Sequence, residues 1–185
     1  IGIIGSGAMG AGIAQVAATA GHTVWLLDQN QAALQQAAQR IRQSLDKLAE
    51  KGKLTVEDAT AAFARIQLTE NQTDFTDCGL VLEAIVEDLG VKQQLFREVE
   101  MLVAEDCILA SNTSSISITR MAAGVPDPAR FIGMHFFNPV PVMALVELIR
   151  GLATDPEVVA RMRAFAEKLG KQVVLSQDAP GFIIN

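Results

Sequence analysis

The chain has 185 residues, half of them hydrophobic and 19% charged, with a formal net charge of −6. That length and hydrophobicity suit one domain around a well-buried sheet, and the acidic balance argues against a nucleic-acid surface while leaving room for a local basic stripe. No apolar run approaches the ~18 residues of a membrane span, and no charged-then-apolar leader precedes the first element, so neither a membrane anchor nor a signal peptide is expected.

Ile1 to Ile4 reads as a short buried strand and Gly5 to Gly10 as a turn. Ala11 to Ala20 is an alanine-rich helix that stops at Gly21. Thr23 to Leu27 is a second strand, ending at Asp28. A long helical pattern follows from Gln31 to Glu50, with Leu34, Ala38, Ile41, Leu45 and Leu48 on one face. After Gly52 comes a second helix, Val56 to Ala64, and then a short strand over Ile66 to Leu68. Leu80 to Ile85 is a buried strand, Val91 to Val103 a helix, Cys107 to Ala110 a strand and Ile118 to Ala122 a short helix. Pro126 and Pro128 mark a loop. Phe131 to His135 and Leu145 to Ile149 are strands, Pro156 to Leu169 is a helix with Pro in its first turn, and Val173 to Leu175 is a last strand. Strands alternating with helices predict an α/β fold: a Rossmann-type, doubly wound, mostly parallel sheet with a long helical-hairpin insertion after the second strand. Cys78 and Cys107 lie in apolar contexts and are expected as reduced core residues, the pattern of a cytoplasmic protein.

Gly5-Ser6-Gly7-Ala8-Met9-Gly10 has the G-x-G-x-x-G spacing, and its setting makes it informative. It follows a strand, opens a helix, and is followed by Asp28 at the end of the next strand. Gly5 permits the tight turn, Gly7 lets the backbone approach a pyrophosphate, and Gly10 lets helix and strand pack closely. The helix N-terminus offers N–H groups and partial positive charge to phosphates, and Ala8 and Met9 in the turn are expected to bind the cofactor with the three glycines. Asp28 can accept hydrogen bonds from both hydroxyls of an adenine ribose and would repel a 2′-phosphate. Gln29 and Asn30 follow without an arginine, so NAD is expected over NADP.

His135 ends the apolar run Phe131-Ile132-Gly133-Met134 and begins His135-Phe136-Phe137-Asn138-Pro139. A histidine there can exchange a proton near neutral pH, its unperturbed pKa being about 6.5. Glu147, twelve positions later, lies in the apolar run Leu145 to Ile149, where a carboxylate needs a partner. An imidazole would satisfy it and be held in one tautomer, the orienting half of a catalytic dyad. Ser111-Asn112-Thr113-Ser114-Ser115 follows a strand end, which in this architecture lines the ligand crevice, although such runs also serve as helix caps. Glu83 lies in a strand close to the same crevice, as a structural residue or a cofactor contact. Arg40, Ser44, Lys47 and Lys51 share one helical face able to hold the phosphates of an acidic substrate, or simply a solvated face with Asp46 and Glu50 nearby. Trp25 is expected in the core and His22 at the surface. No cluster has metal-ligand spacing, so metal-free catalysis is expected.

GSGAMGAGIAQVAA, LDQ, VLEAIVED, SNTSS, HFFNPVPVM, LVELI and APGFIIN occur in that order and spacing. Together they resemble the N-terminal NAD-binding domain of L-3-hydroxyacyl-CoA dehydrogenases, including the 3-hydroxybutyryl-CoA and phenylacetate-pathway members, over essentially the whole chain. The resemblance implies (S)-3-hydroxyacyl-CoA oxidation, with His135 as the catalytic base, Glu147 as its orienting carboxylate, and Ser114 and Asn185 on the substrate oxygen. It implies that Glu87 and Lys92 line the cofactor's ribose and nicotinamide side, Asn138 the substrate-side turn, and Ser44 and Lys51 the CoA moiety. It also implies a further helical C-terminal domain that mediates homodimerisation. The sequence begins inside a strand pattern without Met and stops just after Pro180-Gly181-Phe182, which reads as a helix start; an excised piece of a longer protein, its NAD-binding domain over residues 1–185, is therefore expected. Two other readings stand beside this one: an NAD-dependent sugar-acid dehydrogenase of the L-gulonate type, whose crevice would not need the basic helix face, and a non-catalytic NAD-binding module.

Overall fold

The computed structural model describes residues 1–179. In chain order its elements are β1 (Gly2–Ile4), α1 (Ala8–Thr19), β2 (Val24–Leu27), α2 (Gln31–Glu50), α3 (Val56–Ala64), β3 (Ile66–Thr69), β4 (Leu80–Glu83), α4 (Leu89–Glu100), β5 (Ile108–Ser111), α5 (Ile118–Ala122), β6 (Phe131–Phe136), β7 (Leu145–Arg150), α6 (Pro156–Lys168) and β8 (Gln172–Gln177). The strands form one sheet in the order β3-β2-β1-β4-β5-β6-β7-β8. Every pair is parallel except β6 with β7. The order reverses between β1 and β4, and a crevice opens at such a switch point beyond the strand ends.

The core has two halves, because successive strand residues point to opposite faces. Ile3, Leu26, Leu82, Ala110, Ile132, Met134, Val146 and Leu148 pack with α1, α2, α3 and α6. Ile4, Leu27, Val81, Leu109, Phe131 and Ile149 pack with α4 and α5. The same alternation puts Glu83, Ser111, His135 and Glu147 on the α4/α5 face, all fully or nearly fully buried near the crevice. The helical hairpin expected after β2 is present as α2 and α3, whose Leu34, Ala37, Ile41, Leu45, Ala59 and Ala62 cover α1 and the first sheet face.

The elements depart from the sequence expectation mainly at their ends. α1 begins at Ala8, so Gly10 lies inside the helix rather than in the turn. A Cβ on Gly10 would come 1.8 Å from the Gly5 carbonyl oxygen, so only glycine lets the helix start so close to β1. α4 begins at Leu89 because the Asp88 carboxylate accepts the Val91 N–H and caps it. β4 ends at Glu83, whose side chain turns back to accept the Ile85 N–H at 2.7 Å. The antiparallel β6–β7 pair follows from its connection, which is too short for the crossover of about a dozen or more residues that parallel strands need. Trp25 is only half-buried, packed against the α4/α5 half of the core. His22 is half-buried rather than at the surface: its ring meets Phe165 with centroids 5.2 Å apart, and burial pulls its pKa down.

Candidate active site

The first turn of α1 lies at the switch point. Gly5 has φ +101°, a backbone conformation that L side chains rarely adopt, and a Cβ there would meet the Ala84 carbonyl oxygen at 2.5 Å. The glycine turn is thus pressed between β1 and the end of β4. Above Gly7 the space is open, with no atom within 4 Å of an added Cβ. No side chain caps the N-terminus of α1, whereas Asn30, Thr55, Asp88, Ser117 and Asp155 cap α2 to α6. An uncapped helix start facing open space suits an anionic ligand such as a pyrophosphate.

Asp28 is held at the tip of β2 by this same turn. Its Oδ2 accepts the Ser6 N–H at 2.9 Å and the Ser6 hydroxyl at 2.7 Å, and its Oδ1 accepts the Asn30 N–H at 3.0 Å. Partial burial pushes this carboxyl up, but the hydrogen bonds from Asn30 and Ser6 outweigh it and hold Asp28 below the usual carboxylate range. Arg40 reaches across from α2 and donates to the Ser6 carbonyl at 3.0 Å. Of the basic face read on α2, Arg40 therefore braces the glycine turn, Ser44 is half-buried, and Lys47 and Lys51 are exposed. Beside Asp28, a cleft of about 400 Å³ is walled by Leu27, Ile85, Val91 and Leu95, with Gln94 and Glu98 at its rim.

The crevice continues past Ile85 into a second hollow lined by Met9, Glu87, Asn112, Ser114, His135 and Asn138. His135 and Glu147 are direct register partners across β6 and β7, and their Nδ1 and Oε2 atoms lie 2.8 Å apart. Glu147 is wholly buried, and His135 is 6% exposed. The Phe137 ring lies 4.6 Å from the imidazole. The Asn112 side chain accepts the Phe136 N–H at 2.8 Å, tying the segment after β5 to the residue beside His135.

Glu87 organises the Ser114 segment. Its Oε1 accepts the Thr113 hydroxyl, the Ser114 N–H at 3.1 Å, and the Ser115 N–H and hydroxyl at 3.3 and 3.2 Å. Burial raises the Glu87 pKa, but the Thr113 hydroxyl and the Lys92 ammonium outweigh it and leave the pKa lowered. Lys92 is 1% exposed; its ammonium pairs with Glu83 beneath the crevice and reaches the other oxygen of Glu87 at 3.3 Å. Glu83 is wholly buried and also accepts the Ser111 hydroxyl at 2.7 Å. Of the two roles expected for Glu83, these bonds give it the structural one, whereas the tie of Arg40 to the Ser6 carbonyl and that of Asn112 to the Phe136 N–H have no counterpart in the sequence reading. Ser111 carried a readable signal, as a polar residue at an inward position at the end of an apolar strand. Asn185 lies outside the described residues.

A crevice at a switch point, with an uncapped helix start and an acidic residue at one end and a buried imidazole–carboxylate pair at the other, has the form of a dinucleotide-binding domain. Residues 1–179 match the family described as 3-hydroxyacyl-CoA dehydrogenase, NAD binding domain, and the chain belongs to that family, with NAD as its cofactor. It is 50% identical over 184 residues to a probable 3-hydroxybutyryl-CoA dehydrogenase of Deinococcus radiodurans, covering 100% of this chain and 66% of that protein. It is 48% identical to a 3-hydroxybutyryl-CoA dehydrogenase of Bradyrhizobium diazoefficiens, covering 100% of this chain and 63% of that protein. Among solved structures, the (S)-3-hydroxybutyryl-CoA dehydrogenase of Ralstonia eutropha superposes with a TM-score of 0.97 at 46% identity, over 100% of this chain and 65% of that one. The chain thus spans just under two thirds of the length of these relatives.

Proposed function

We propose that the protein interconverts (S)-3-hydroxyacyl-CoA and 3-oxoacyl-CoA, as its relatives' names suggest for a short-chain substrate. The observation that carries this reading is the buried His135–Glu147 pair at one end of the crevice that Asp28 closes at the other. NAD, when bound, supplies the acceptor for the hydride that leaves C3. The residues then divide the work. Gly5, Gly7, Ala8, Met9 and Gly10 hold the pyrophosphate through backbone groups, and Asp28 accepts from the adenine ribose. Glu87 lines the nicotinamide end, and Lys92 acts there through its ion pair with Glu87. His135 takes the proton from the C3 hydroxyl in oxidation and returns it to the oxygen in reduction. Glu147, on Nδ1, keeps Nε2 as the proton-exchanging nitrogen and stabilises the imidazolium. Ser114 and Asn185 polarise the substrate oxygen, and Asn138 edges the acyl side. Ser44 on α2 and Lys51 at its C-cap receive the CoA phosphates.

Orientation of this kind supplies much of the acceleration, with general acid–base transfer adding ~10²–10⁴-fold. A helical C-terminal domain and a homodimer built through it complete the proposal. A cytoplasmic setting accords with two free, buried cysteines, and no helix among the described residues is long and apolar enough to cross a membrane. The test is oxidation of NADH by the full-length protein with acetoacetyl-CoA, alongside reduction of NAD with L-gulonate. Turnover with the first alone supports the proposal. Turnover with the second alone assigns a sugar-acid enzyme, and NADH binding with neither assigns a non-catalytic module.

A further inference from the structure

Residues 138–144 make up all but the first position of the link between the two strands that carry His135 and Glu147, and most of this segment is exposed. Val142 is 76% exposed and Met143 38%, so apolar burial of these residues does not hold the segment in place. Within it, only Val140 is buried, at 2% exposure. Val140 sits on the helix that begins at the glycine turn: a Cβ on Gly12 would come 2.8 Å from the Val140 Cβ. The turn has its own bonds, the Val142 and Met143 N–H groups both donating to the Pro139 carbonyl at 3.0 Å.

Two further ties come from beyond α6: the Gln172 N–H donates to the Ala144 carbonyl at 2.7 Å, and the Lys171 side chain reaches under the segment. Gly170, at φ +76°, turns the backbone out of α6 and directs Lys171 beneath this segment. Lys171 is 8% exposed. Its ammonium donates to the Val140 carbonyl at 2.6 Å and to the Met143 carbonyl at 2.7 Å, one on each side of the exposed tip. A buried ammonium costs desolvation free energy, and the carbonyls offset it with charge-assisted hydrogen bonds. The burial also lowers its pKa from the ordinary lysine value.

We infer that Lys171 is a positioning residue: by clamping the Val140 and Met143 carbonyls it seats the 138–144 segment on α1, and so fixes the catalytic strand pair relative to the cofactor helix. It touches neither reacting atoms nor cofactor, and acts through Val140. The kinetic part of the inference rests on the dehydrogenase reading; the structural part does not.

The test compares the full-length wild type with Lys171→Met and Lys171→Arg. Hydrogen exchange should show the Val142 and Met143 amides losing protection tenfold or more in Lys171→Met, with the sheet and α1 amides unchanged. kcat with acetoacetyl-CoA should fall tenfold or more while NADH affinity stays within twofold, and Lys171→Arg should restore most of both. Acetylation of the wild type provides a measurement independent of any variant: the Lys171 amine should react at least tenfold more slowly than the exposed Lys168. Unchanged exchange and kcat in Lys171→Met, protection lost throughout the chain, or Lys171 as reactive as Lys168 would each overturn the inference. Should the wild type itself show no turnover, the dehydrogenase reading fails, while exchange and acetylation still decide the role of Lys171.

Discussion

His135 and Glu147 sit directly opposite one another on antiparallel strands, and the register alone brings imidazole and carboxylate to 2.8 Å. Neither side chain depends on a loop for this geometry. Because Glu147 is wholly buried, its charge acts on the imidazole with little screening by water. Glu147→Gln keeps the shape and removes the charge. It is expected to lower kcat by about 10²-fold or more while leaving NADH affinity within twofold. Steady-state kinetics with a parallel NADH titration check this split.

Asp28 gathers three donors from the backbone and side chain of its neighbours, so its removal acts on the glycine turn as well as on the cofactor. Asp28→Ala leaves the Ser6 N–H and hydroxyl without their acceptor. NADH affinity should fall tenfold or more, about 1.4 kcal/mol for each tenfold. The preference for NADH over NADPH should collapse, because the charge that repels a 2′-phosphate has gone. Fluorescence titrations with both nucleotides provide the measurement.

Glu83 and Lys92 form a buried ion pair, 0% and 1% exposed at the side chain. Removing one charge of such a pair strands the other, a loss of about 3–5 kcal/mol. Glu83→Gln is therefore expected to lower Tm by roughly 6–20 °C for a chain of this size. It should also loosen the Ser114 segment, since Ser111 loses a charged acceptor. A thermal melt checks the first effect and KM for acetoacetyl-CoA the second.

Much of this fold is written in local pattern. The glycine turn, its following helix and Asp28 are contiguous, and each demands a particular backbone geometry. The strands β4 to β7 are apolar runs that the two-faced sheet requires. His135 and Glu147 stood out because each breaks such a run with a polar side chain. Long-range ties were not legible in the same way. Arg40 on the Ser6 carbonyl, Asn112 on the Phe136 N–H and Lys171 on the Val140 carbonyl each join segments 24 to 34 positions apart. Their existence depends on which elements the sheet order stacks together, and the spacing of residues carries no record of that. The orientation of β7 was readable in principle, from the short link after β6.

Asp178 provides a pH dependence with a definite sign. Its carboxylate accepts the Ser117 hydroxyl and the Ile118 and Thr119 N–H groups at 2.8–2.9 Å, at the start of α5. Burial raises its pKa, but these hydrogen bonds, Thr119 foremost, outweigh it and leave the pKa lowered from 3.8. A depressed carboxylate contributes stability that is fully present above its unfolded pKa and lost as pH falls through the folded value. Tm should therefore fall as pH drops below about 4. Asp178→Asn should flatten that fall and cost about 1 kcal/mol at neutral pH, because hydrogen bonds to a neutral amide are weaker than those to a carboxylate. Melts from pH 7 to pH 3 on both proteins provide the comparison.

In the proposed reaction everything turns on His135 moving the proton of the C3 hydroxyl. The most direct measurement is acetoacetyl-CoA-dependent NADH oxidation by the full-length protein and its His135→Gln variant, with NADH affinity measured for both. Turnover by the wild type, a loss of about 10²-fold or more in the variant, and equal NADH affinity are expected. A variant that turns over at the wild-type rate would contradict this role for His135.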